Sequence, residues 1–160
     1  MKRVYVLLVL FCSVLFVTGC SKNLNDQRVI YPVDELAELN ANPDLYFLAQ
    51  NVFETAGLST DGIVLVNRPE MLQEVVLEDM VYSWPEMDLT QYSLVVGRYS
   101  DNSTGYYLAD QWILKEGKTL KLYAEIKMRG GIHTRMTRVF VALYPKLPDG
   151  EVEFVRWDKE

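Results

Sequence analysis

A mainly β fold (α+β), an antiparallel β-sandwich or partial barrel, is what this sequence predicts, and three observations predict it. Residues 118–128 alternate. Leu120, Leu122, Ala124, Ile126 and Met128 are apolar, and Lys121, Tyr123, Glu125 and Lys127 lie between them. Successive strand side chains point to opposite faces, so this is a strand with one core face and one wet face. Short β-like runs recur on both sides of it, separated by turn residues, which is the spacing of strands in a sandwich or barrel. An apolar fraction of 49% is that of a chain with a packed core.

The first 19 residues are expected to be a removable leader. Lys2 and Arg3 precede an apolar run over residues 4–17, too short for the roughly 20 apolar residues that cross a bilayer. The run closes on Val17, Thr18, Gly19 and Cys20. Small residues before a Cys at this place resemble the lipobox of bacterial lipoproteins. The resemblance implies cleavage before Cys20, a lipid on its thiol and an acylated new N-terminus, and several acyl chains anchor stably where one does not. By resemblance to the sorting rule of Gram-negative lipoproteins, Ser21 in place of Asp favours the outer membrane over the inner one, with the leaflet left open. Removing the leader takes Lys2 and Arg3 with it, so 14 basic against 22 acidic side chains give a mature charge of −8. That balance disfavours nucleic acid. Cys12 leaves with the leader and Cys20 is committed to lipid, so no intramolecular disulfide is expected. The expected organisation is a leader over 1–19, a tether over 20–28 and one β-rich domain over 29–160.

Taken in order, residues 21–27 are polar and form the tether. Residues 34–39 fit a short helical turn with Asp34 as its cap, broken by Asn42 and Pro43. Leu45, Leu48, Ala49, Val52 and Phe53 recur at helical spacing and predict a helix over 44–54. Gly57 and residues 59–62 are a loop. Residues 63–66 are a short apolar strand. Asn67, Pro69 and Glu70 have the arrangement of a capped helix start, and Met71, Leu72, Val75 and Val76 supply a stripe, so one packed helix is predicted near 68–79. Residues 82–88 are a loop with aromatics. Residues 92–98 are apolar on both faces, as in a central strand. Residues 106–114, 118–128, 136–144 and 152–157 are strands, with turns at 101–105, 115–117, 129–134 and 145–150.

Chemistry-bearing residues are sparse. His133 is the lone histidine, and it stands in a glycine loop without a nucleophile signature, so no enzyme is expected. One His, no free thiol and no spaced carboxylate motif predict no metal and no cofactor. Glu70, Glu74, Glu78, Asp79, Glu86 and Asp88 could pair as in glycosidases, but the ordinary reading is a solvated face. Arg129, Arg135 and Arg138 are a basic group in an acidic chain, suited to carboxylates on a partner. Tyr82, Trp84, Tyr106, Tyr107 and Trp112 could form an aromatic platform for protein or sugar, or fill the core.

One resemblance adds to this. The strand at 63–66 leads to Pro69, Glu70, Met71 and Leu72. Asp88 then leads the strand ending at Gly97, Thr104-Gly105-Tyr106 makes a turn, and Phe140 to Pro148 precedes Val152-Glu153-Phe154. In this order the segments resemble the C-terminal-domain family of the protease-complex stabilising protein PrcB and related small lipoproteins, over residues of about 62–156. The family's turn has two glycines where this chain has one. The resemblance implies a β-rich, non-enzymatic module that binds or stabilises a protein. The expectation is therefore an outer-membrane, lipid-anchored lipoprotein with a protein partner in the envelope. Tyr82, Trp84, Tyr106, Arg129, His133, Arg135 and Arg138 are its candidate contacts. The alternative is a glycan-binding module using exposed Tyr and Trp residues.

Overall fold

The computed structural model of the chain describes residues 27–33 and 44–158. Cys20, the leader, most of the tether and the expected helical turn at 34–39 lie outside the described residues. The expected β-rich architecture is present as two face-to-face sheets with a helix on the outer side of one of them.

The strand built around residues 118–128 is β7 (Thr119–Met128), and it sits inside a four-stranded sheet. The order of that sheet is β1 (Gln27–Ile30), β6 (Tyr106–Glu116), β7, β9 (Val152–Asp158). β1 and β6, and β6 and β7, run antiparallel. β9 departs from the expected all-antiparallel pattern and pairs with β7 in parallel, Leu122 opposite Phe154. The second sheet is β2 (Gly62–Val66), β5 (Tyr92–Asp101), β8 (Met136–Pro145), antiparallel throughout.

Leu120, Leu122, Ala124 and Ile126 of β7 are buried against Val95, Tyr99, Phe140, Ala142 and Tyr144 of the second sheet. This is the inter-sheet core. β5 is central and buried on both faces, as its composition predicts. Its other side, with Leu94 and Val96, packs beside Val141 and Leu143 onto α1 (Asp44–Thr55). That helix buries Leu45, Leu48, Ala49, Val52 and Phe53, the predicted stripe. It ends in a Schellman pattern: Leu58 N donates to Phe53 O and Gly57 N to Glu54 O, both at 3.0 Å. Gly57 takes the left-handed conformation this requires, at φ 68°.

The helix expected near 68–79 is not formed; the packed helix of this fold is α1. Residues 69–71 make a single 3-10 turn, and a hairpin follows, β3 (Val75–Leu77) with β4 (Met80–Tyr82). The reason lies partly in Asn67. Its side chain does not cap a helix: its Nδ2 donates to Asp149 Oδ1 at 2.8 Å, and its Oδ1 accepts from Ser93 Oγ at 2.5 Å. Arg68 holds the cap position with no side-chain cap bond. Without a cap, Val75, Val76 and Val81 follow the β preference of branched side chains.

A bulge sets which residues of β6 face out. Strict alternation from Tyr106 and Leu108 would drive Asp110 and Trp112 into the core. The register shift between Leu108 and Asp110 adds one residue and turns Gln111 and Ile113 inward instead. The sheets are tied together by Arg156 of β9. Its Nη2 lies 2.6 Å from Asp101 Oδ1, and its Nη1 donates to Ser100 O at 3.0 Å.

Candidate functional site

The β3–β4 hairpin is the least covered apolar feature among the described residues. Paired side chains share a face, so Val76 and Val81 form one face together, and Val75, Tyr82, Leu77 and Met80 form the other. At its root, Val75 and Tyr82 pack on Leu45 and Leu48 of α1. Everything else projects. Val76 is 63% exposed, Val81 60% and Met80 57%. Leu77 and Phe47 of α1 are exposed as well, and the Phe47 ring meets Tyr82 at 5.2 Å. Large aliphatics do fall singly on protein surfaces, but a two-stranded ribbon apolar on both faces is the mark of an interaction site.

The tip and root of this hairpin are acidic. Glu78 and Asp79 form its two-residue turn, both at positive φ, 48° and 68°. Glu74 precedes β3 and Glu86 follows β4. From Pro69 to Gly97 the chain has six carboxylates and no Lys or Arg, and over residues 29–97 Arg68 is the single basic residue. This segregation of charge was a signal available in the sequence, and it marks the same segment. At Asp88, by contrast, the carboxylate works within its own loop: Thr90 donates from hydroxyl and amide, which holds Asp88 below the usual carboxylate range.

The residues singled out in advance are dispersed. Tyr82 and Trp84 are half-buried under α1 and the hairpin, so they support the site rather than present it. The Trp84 Nε1 is buried with no hydrogen-bond partner among the described residues. Tyr106 packs against the inter-sheet core below the Arg156 guanidinium, 5.9 Å from its ring. Arg129 lies over the Tyr107 ring at 4.6 Å. Arg138 is half-buried, and its Nη2 donates to Thr104 O at 2.7 Å. His133 and Arg135 are exposed. The loops carrying these groups are pinned to each other. Thr104 N donates to Ile132 O at 3.1 Å and Arg129 N to Gly105 O at 3.0 Å. Gly105 sits so close to Gly130 that a Cβ on it would overlap the Gly130 carbonyl.

Trp112 fills no core. It stands on the outer face of the four-stranded sheet, stacked on Tyr123 at 5.6 Å with rings 2° from parallel, and meets Trp157 edge-on at 5.3 Å. A cleft of about 410 Å³ opens where β6 and β8 face each other, with Tyr99, Tyr107, Asp110, Gln111 and Arg138 in its wall. Among the described residues no cluster of His, Cys, Asp and Glu could hold a metal, and no helix is long and apolar enough to cross a membrane.

No family model, curated protein or solved structure matches this chain.

Proposed function

We propose that the chain is a cell-envelope lipoprotein that binds a protein partner and performs no catalysis. Cys20 carries the lipid, residues 20–28 give reach, and the hairpin presents the contact. The observation that carries this reading is the hairpin's exposed apolar pair, Val76 and Val81, on a ribbon whose root is held by α1. Interface cores are depleted in charge and enriched in large apolar side chains, which describes this ribbon between its acidic ends. Two measurements test the reading. Labelled palmitate is expected to enter the wild-type protein and not Cys20→Ala, which moves to the soluble fraction. The envelope protein recovered with the wild-type chain is expected to be lost with Val76→Ser/Val81→Ser. Unlabelled wild-type protein removes the anchor, and unchanged recovery removes the contact.

A second reading has its own support. Trp157 is 44% exposed beside Trp112 and Tyr123 on the outer sheet face, and aromatic rings of this kind stack on sugars. Trp84 and Tyr82 are too covered for that role. Glycan-array binding lost in Trp157→Ala would favour this reading over the first; an inert array removes it.

A further inference from the structure

We infer that the partner engages the β3–β4 hairpin with an apolar groove whose ends carry Lys or Arg side chains; this rests on the protein-binding reading above. The shape comes first. Val76 and Val81 cover one face of the ribbon, while Leu77 and Met80 cover the overhanging part of the other, and all four are exposed. A flat surface would cover one face only, whereas a groove covers both. The charge comes second. Glu78 and Asp79 at the tip, with Glu74 and Glu86 at the root, bracket the apolar residues. Hydrophobic contact supplies affinity, and opposite charge at the rim supplies orientation and rate. The nearest basic residue on either side of the segment is Arg68 or Arg98. Arg98 is spent inside the fold, donating to Leu58 O and Thr60 O at 2.8 Å.

Two other occupants fit less well. A second copy paired through the same face would set the acidic tip of one chain against the acidic tip or the acidic root of the other, and like charges oppose either contact. An anionic bilayer repels the same tip, and the two carboxylates would have to enter before the apolar residues.

The test uses the full-length, lipidated chain in the cells that make it. A photoreactive residue replaces Val81, and the linked peptide is read by mass spectrometry. The expected adduct is to a protein, at a peptide with Lys or Arg beside apolar residues. Glu78→Asn/Asp79→Gly removes both charges and suits the turn, so the hairpin persists. It is expected to lower the adduct roughly fivefold, and raised salt to lower it too. Adducts to lipid or to a second copy overturn the inference. So does a protein adduct that is indifferent to both charge removal and salt; the protein-binding reading survives that result. No protein adduct at Val81 overturns both.

Discussion

Asn67 shows how much one side chain settles in this molecule. It is buried and joins three segments. Its amide reaches Asp149 after β8, and its carbonyl oxygen accepts from Ser93 of β5, whose hydroxyl in turn accepts from Leu147 N at 2.8 Å. Lys146 Nζ donates to the Asn67 and Leu89 carbonyls at 2.7 and 2.6 Å. Removing one member strands the others away from water. Asn67→Ala is expected to lose about 2 kcal/mol in urea unfolding; a loss below about 0.5 kcal/mol would mean water replaces the amide. The residue was legible as a polar stop after a strand, but its partner Asp149 lies 82 positions away, and local sequence gives no sign of it. Tyrosines give a second residue-scale prediction. Burial pushes the Tyr99 phenol up to about 12, and burial raises that of Tyr144 as well, with Asp110 adding to it. A group whose pKa rises on folding contributes stability below its unfolded value, and loses it as pH climbs through the folded one. Stability is therefore expected to fall between about pH 10 and pH 12. Tyrosinate absorbance should rise together with loss of circular dichroism. Titration of all tyrosines near pH 10 with the fold intact would contradict it.

At the scale of elements, β7 and the hairpin show why legibility differed. The core face of β7 was readable because Leu120, Leu122, Ala124 and Ile126 alternate without interruption. Even there Glu125, placed on the wet face, is buried, with Lys127 Nζ at 3.2 Å from its Oε1. The segment after β2 misled because Asn67, Pro69 and Glu70 imitate a helix start, and the hairpin turn hides its nature. A two-residue turn with both φ positive ordinarily shows Asn-Gly or Asp-Gly; here it is Glu78-Asp79. The site was legible only in part: the carboxylates without Lys or Arg mark the segment, but Val76, Met80 and Val81 carry no chemistry, so only their exposure picks them out. The backbone strain at the turn is testable. Asp79→Gly is expected to stabilise the fold by about 1 kcal/mol, since a left-handed residue with a Cβ costs roughly that amount. Val76→Ser/Val81→Ser is expected to change stability by less than about 1 kcal/mol, because neither side chain is packed. A larger loss, measured by thermal unfolding, would make the exposed pair part of the fold and not a contact surface.

Across the whole molecule, layering divides the labour. The inter-sheet core holds the sandwich, α1 covers one sheet, and the β3–β4 ribbon packs at its root on α1. A change in the ribbon therefore leaves the main core intact. The β-rich architecture and its central strand were legible because alternation and two-sided apolarity are local patterns. The pairing of β7 with β9 was not, because parallel neighbours carry no turn between them. That pairing has a consequence for how the protein is made. Val152 to Asp158 form β9 and cover the open edge of β7, so the four-stranded sheet stays incomplete until the chain has been made as far as Asp158. During that interval β7 offers an unpaired strand edge, the kind of template on which neighbouring chains associate.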